Sequence, residues 1–216
     1  NVTAKVLKGG TTNNFDHAII PSIAYTKTNN LIFDVELTNF TNIKILVGFL
    51  NNTTPSTSSA IIDGLVVQRY SGQGLRLRPW ENNSWKGSNT DIDGAGGANS
   101  WVLSDVLSVR IKLVQNGNNW GATYWYKSNN ALDASGSWTQ LAYSTPANEN
   151  ILSSSANNGT KAYPIISFQN GDPNTSEIYI NKVRILGCTE VVSNITTDQT
   201  TAITSTAALT LNTWTH

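Results

Sequence analysis

Methionine is absent from this sequence, cysteine occurs once and histidine twice, and charged residues make up only 13% of it, about half the usual quarter. Each shortage excludes something. Without a methionine, residue 1 is no translation start, and the chain is expected to be a processed or excised form. The lone Cys188 has no partner for an internal disulfide and is expected as a buried thiol. His17, His216 and one cysteine are too few for a zinc site, and they leave a nucleophilic triad short of a base. Asp16 does precede His17, but neighbours in a strand point to opposite faces, so the pair reads as a solvated strand start. Fourteen basic residues balance fourteen acidic ones, which removes the electrostatic case for nucleic acid or an anionic membrane. No apolar run approaches the roughly 20 residues of a membrane span.

Helical periodicity is a further shortage. No amphipathic repeat persists for three turns, and Ser104 in "SDVLSVRIKL" offers a cap for one turn at most. Asn, Thr, Ser and Gly fill the chain instead, the residues of turns, exposed strand faces and secreted surfaces. An extracellular or cell-surface location is expected. Asn-x-Ser/Thr sequons begin at Asn1, Asn39, Asn51, Asn52, Asn82, Asn158, Asn174 and Asn194, the glycosylation candidates.

Between the polar clusters lie short β-branched or aromatic runs, such as "TAKVLK", "HAIIPSIAY", "KILVGFLN", "DGLVVQRYS", "GLRLRPW" and "AYPIISFQN". In "NLIFDVELTNF", Leu31, Phe33, Val35 and Leu37 face one way, and Ile32, Asp34, Glu36 and Thr38 the other. "VRIKLVQ" repeats the device, with Val109, Ile111 and Leu113 opposed to Arg110, Lys112 and Val114. One core face and one mostly wet face are what two antiparallel sheets packed together require. Asn116-Gly117 in "VQNGNNWGATYWYKS" is the strongest hairpin signal of the chain.

The stretch "SVRIKLVQNGNNWGATYWYKSNNALDASGSWTQLA" resembles the concanavalin A-like jelly roll of lectins and glucanases. There a VRIxxxxNG strand leads into an aromatic strand and then a "GSWTQLA" strand, here residues 137–142. "NLIFDVELTNF" is similar to the family's early sheet strand and "SEIYINKVRILG" to its closing one, so the resemblance covers about residues 15–188. It implies an all-β, antiparallel two-sheet jelly-roll β-sandwich. With the N-terminal strand this domain occupies residues 1–188, and a Thr-rich extended tail follows over 189–216. Such folds host lectins, carbohydrate-binding modules, glucan hydrolases and adhesion modules, so function has to be argued from a site.

Glycoside hydrolysis needs two carboxylates about 5 to 9 Å apart, supplied in the family's glucanases by an ExDxE pattern. No such pattern occurs, and Glu36, Glu81, Glu149, Glu177 and Glu190 lie in five separate segments. The chain is expected not to be an enzyme. No cofactor is expected, calcium being the metal worth weighing: Asp91, Asp93 and Asn99 surround a glycine-rich turn in "NTDIDGAGGAN", without the closing Glu of a calcium loop.

Sugars bind through aromatic faces stacked on C–H patches, with polar side chains taking the hydroxyls. "RLRPWENNSWKGSNTD" holds Trp80 and Trp85 with Arg78, Glu81, Asn82, Asn83 and Asp91, the glycan-binding candidates. The plainer alternative is that the two tryptophans cap the open end of the sandwich core. A second aromatic cluster, Trp120, Tyr124 and Tyr126, lies around the hairpin.

The tail "TAITSTAALTLNTWTH" alternates along its length, with Ile203, Ala207, Leu209 and Leu211 on one parity. A lone strand leaves its N–H and C=O groups unpaired, so it is expected to join a sheet edge in this copy or another. Head-to-tail donation to the next copy does not close on itself and builds a filament. Val2, Ala4 and Val6 share one parity and are expected in the same joint. The function expected first is a non-catalytic structural subunit of an extracellular filament or surface assembly, joined to copies of itself by β-strand exchange. The alternative is a carbohydrate-binding module that takes a polysaccharide on its tryptophan loop.

Overall fold

The computed structural model describes residues 4–5, 17–19, 25–41, 43–50, 63–69, 75–81, 84–88, 90–92, 105–116, 119–141, 161–170 and 177–187. Within these residues the chain is all strand and connection, with fourteen strands numbered in chain order and no helix. One sheet runs in the order β1 (Ala4–Lys5), β14 (Glu177–Leu186), β4 (Ile32–Thr41), β10 (Leu107–Asn116), β11 (Asn119–Ser128) and β12 (Thr139–Gln140). The other runs β2 (His17–Ile19), β13 (Lys161–Asn170), β5 (Ile43–Leu50), β6 (Asp63–Arg69), β7 (Arg76–Glu81) and β8 (Ser84–Trp85). In that sheet β3 (Tyr25–Thr26) also pairs with β13, and β9 (Thr90–Asp91) with β7. Every pairing is antiparallel. Successive strands change sheet at β1 to β2, β3 to β4, β4 to β5, β9 to β10, β12 to β13 and β13 to β14. This is the two-sheet jelly roll that the resemblance implies.

The core lies between the sheets and follows the alternation of the strands. Phe33, Val35 and Leu37 of β4 and Val109, Ile111 and Leu113 of β10 are fully buried, as are Ile45, Val47 and Phe49 of β5 and Leu65 and Val67 of β6. The Phe33 and Phe49 rings meet at 5.8 Å in a tilted arrangement, tying one sheet to the other. Tyr124 is fully buried, with Trp120 and Tyr126 packed against the same core. The second aromatic cluster of the sequence therefore belongs to the core, and Trp125, on the other parity, faces outward.

Two strand details depart from the pattern read in the sequence. Among the described residues of the "GSWTQLA" segment only Thr139 and Gln140 are strand, paired with Tyr126 and Trp125. Before them the chain turns at Asn129, whose φ is 53°, and lies over the outer face of the sheet, where the Leu132 N–H donates to Glu36 Oε2 at 2.9 Å. The closing strand β14 keeps step with β4 only by shifting register twice, between Glu177 and Tyr179 and between Ile180 and Lys182. Asn39, with φ 57°, lies in β4 opposite the first shift.

Candidate functional site

The outer face of the eight-stranded sheet gathers most of the described glycan candidates. Strand registers line up Ile165, Gly48, Gly64, Trp80 and Trp85 as one row across β13, β5, β6, β7 and β8. The next row holds Leu46, Val66 and Arg78, and the one after it Lys44, Gln68, Arg76 and Asp91. Two glycines leave the middle of the first row bare. Leu46, Val66 and Ile165 form a small apolar cluster there, with Trp80, Trp85 and Tyr163 packed against it. The tryptophans thus lie on the side of the sheet away from the main core and do not cap the sandwich end.

Trp80 and Trp85 meet edge to face, with ring centroids 4.8 Å apart and planes at 89°. Two cations share the Trp85 indole: the Arg78 guanidinium carbon lies 5.1 Å from its centroid and Lys44 Nζ 5.3 Å. Arg78 is held by its Nε, which donates to the Gly87 carbonyl at 3.0 Å. Burial pushes the Lys44 ammonium pKa below its ordinary value. Arg76 Nε donates to Asp91 Oδ1 at 2.8 Å, so one of the three calcium candidates already serves a guanidinium. Lys44 has no signal in the sequence near the tryptophans. Sheet pairing alone brings it from β5 across β6 and β7 to Trp85.

Several candidates fall elsewhere. Glu81 closes β7, but its side chain, like Asn82 and Asn83, lies outside the described residues, as do Asp93 and Asn99. Val2, Val6, Ile203, Ala207, Leu209 and Leu211 also lie outside them, whereas Ala4 pairs with Ile180 of its own chain. Of the sequons, Asn39 alone is described, half-buried in β4; Asn1, Asn51, Asn52, Asn82, Asn158, Asn174 and Asn194 are outside.

The outer face of the six-stranded sheet carries a charged cluster that sequence reading missed. Arg184, Asp34, Arg110, Trp125 and Gln140 form a row across β14, β4, β10, β11 and β12. Asp34 is fully buried. Its Oδ1 accepts from Arg110 Nε at 2.7 Å, and its Oδ2 accepts from Arg110 Nη2 at 2.9 Å and from Arg184 Nη2 at 2.7 Å and Nε at 3.1 Å. Trp138 lies over the Arg110 guanidinium, 4.1 Å from its carbon to the ring centroid. The connection 129–138 is held down beside it: Lys127 Nζ donates to the Ala134 carbonyl at 2.8 Å, and Asp133 accepts from Lys182 and from Arg184 Nη1, the latter at 3.2 Å. These cations hold the Asp133 carboxyl below the usual carboxylate range, the Lys182 hydrogen bond first among them.

Asp34 and Glu36 are two apart on one strand and share this face, a carboxylate spacing that the reading of singly scattered acids passed over. Buried Asp34 spends both oxygens on guanidiniums, and Glu36 binds a backbone N–H of the covering connection. Both carboxylates are engaged within the fold, and Asp34 has no exposed surface. Among the described residues, no group of three or more His, Cys, Asp or Glu is placed to hold a metal ion.

No protein-family model matches the sequence, and no curated protein is significantly similar to it. Solved structures with a similar course include a variant of human galectin-16, at 7% identity and TM-score 0.38 over 83% of this chain and 98% of that one. Sheep galectin-11, in a complex with glycerol, is 13% identical with a TM-score of 0.38 over 82% of this chain and all of that one (100%). The native heptameric SAP-like pentraxin from Limulus polyphemus is 12% identical with a TM-score of 0.44 over 84% of this chain and 75% of that one. These are jelly-roll proteins of the concanavalin A-like type. Overlaps this loose carry nothing about a ligand or partner.

Proposed function

We propose that this chain is a non-catalytic, lectin-like carbohydrate-binding module of the cell exterior, with the Trp85 face of the eight-stranded sheet as its sugar-binding surface. One observation carries this: Arg78, Trp80 and Trp85, named from the sequence as glycan candidates, converge on one outward sheet face, with Lys44 added from β5. An indole braced by a second indole, with two cationic donors packed on its ring, would meet a pyranose with apolar surface for its C–H patches and donors for its hydroxyls. Trp85→Ala is expected to lose about 2 kcal/mol of binding, roughly 30-fold, read as lost retention on a polysaccharide gel with an unchanged circular dichroism spectrum. Full retention by both Trp80→Ala and Trp85→Ala would sink the proposal.

A second role, compatible with the first, is that of a filament or surface-assembly subunit joined to copies of itself by strand exchange. It is favoured by β14, a ten-residue strand of which β1 covers only Tyr179 and Ile180 among the described residues. Val183, 8% exposed, is the least covered of the buried core residues and belongs to that strand. A strand margin of this kind accepts an added strand whose alternate side chains reach toward the core, as Ile203, Ala207, Leu209 and Leu211 alternate in the tail. Electron microscopy of the full chain beside one lacking residues 201–216 tests it.

A further inference from the structure

We infer that the Trp85 face prefers an acidic polysaccharide, one whose pyranose rings carry carboxylates, over a neutral one, an inference that rests on the carbohydrate-binding role proposed for that face. The chain as a whole is neutral, with 14 basic and 14 acidic residues, but the described part of this face is not. Its described charged side chains are Lys44, Arg76, Arg78 and Lys161 against Asp91 alone, by the strand registers. Asp91 is engaged by Arg76 at 2.8 Å, and Lys161 Nζ donates to Thr26 Oγ1 at 3.0 Å.

Arg78 differs from these. Its Nε bond to the Gly87 carbonyl and its packing on Trp85 hold the guanidinium in place, and its Nη donors have no partner among the described residues. A fixed guanidinium with free N–H groups matches the planar, two-oxygen edge of a carboxylate, and charge assistance makes such bonds roughly twice as strong as neutral ones. The carboxylate of a uronic acid is one bond from the sugar ring. A ring seated against the Trp85 indole therefore brings it toward Arg78 and Lys44, both within 5.3 Å of the centroid. An approaching anion also offsets the burial that disfavours the charged form of Lys44. A neutral sugar gains the stacking but not the ion pair.

The test compares polygalacturonate with its fully methyl-esterified form, which keeps the backbone and removes the charge, alongside a neutral glucan and dextran sulfate, by affinity electrophoresis at physiological salt. The full-length protein is expected to bind the acid at least about tenfold tighter than the ester. Arg78→Gln is expected to weaken the acid far more than the ester and so bring the two close to equal, and Arg78→Lys, which keeps the charge but not the fork, to keep part of the preference. Equal binding of acid and ester overturns the inference and leaves the carbohydrate-binding role standing, as does a preference that survives Arg78→Gln. Tighter binding of dextran sulfate than of polygalacturonate overturns the choice of carboxylate. Binding of none of the four overturns both.

Discussion

Asp34 sits on the polar parity of β4, where alternation promises water, yet it is fully buried beneath two guanidiniums. The side chains of Arg110 and Arg184 are only 20% and 18% exposed, so the ion triad is largely screened from solvent. A paired buried charge adds little over an apolar substitute, but breaking the pair leaves the partner charges stranded. Asp34→Ala is accordingly expected to cost about 3 to 5 kcal/mol, because Arg184 and Arg110, the latter packed on Trp138, would then repel each other. Urea unfolding measures this, and a midpoint within error of the parent would show that the arginines find water instead. Arg78 makes the contrast on the opposite sheet, half-buried and with a single hydrogen bond among the described residues.

At the scale of elements, β5, β6 and β7 create the candidate site through register. Gly48 and Gly64 stand side by side in the row that ends at Trp80 and Trp85. A Cβ on Gly64 would lie 2.6 Å from the Val47 carbonyl oxygen and 2.9 Å from Leu46 Cδ2. The carbonyl cannot yield without moving β5, and Leu46 belongs to the apolar cluster beneath the indoles. Gly64→Val is expected to destabilise the fold by about 1 to 3 kcal/mol through overpacking and to shift tryptophan fluorescence as Trp80 and Trp85 are displaced. Equilibrium unfolding followed by fluorescence reports both, and an unchanged midpoint and spectrum would refute the close packing described for that row. β12 is anchored differently, by two paired residues and by the next residue, buried Leu141, whose N–H donates to the Tyr124 carbonyl at 2.9 Å.

At the scale of the whole molecule, the two outer faces are built differently. One is closed by its own ion pairs and the connection 129–138; the other presents cations around an indole. The margin at β14 is a third surface, the one on which the proposed strand exchange depends. Removing residues 201–216 is expected to leave a folded subunit and abolish filaments seen with the full chain, since strand addition needs both the donor segment and the margin. Filaments unchanged by the truncation, or none with either form, would remove the strand-exchange role and leave the sugar-binding face untouched.

The sequence by itself determined the all-β class, the faces of β4 and β10 and the hairpin that joins β10 to β11, because strand alternation and Asn-Gly turn chemistry are local. Asn116 does pair with Asn119 across that turn. Arg78, Trp80 and Trp85 were legible as candidates for the same reason, lying within a short stretch of residues that suit sugars. Only the tertiary structure decided that the two tryptophans leave the core, that Tyr124 fills it, that Lys44 joins Trp85 and that Asp34 is buried between arginines. Each of these depends on which strand lies beside which and in what register. Pairing between strands far apart in the chain is set by burial summed over two whole sheets, a quantity no local pattern contains.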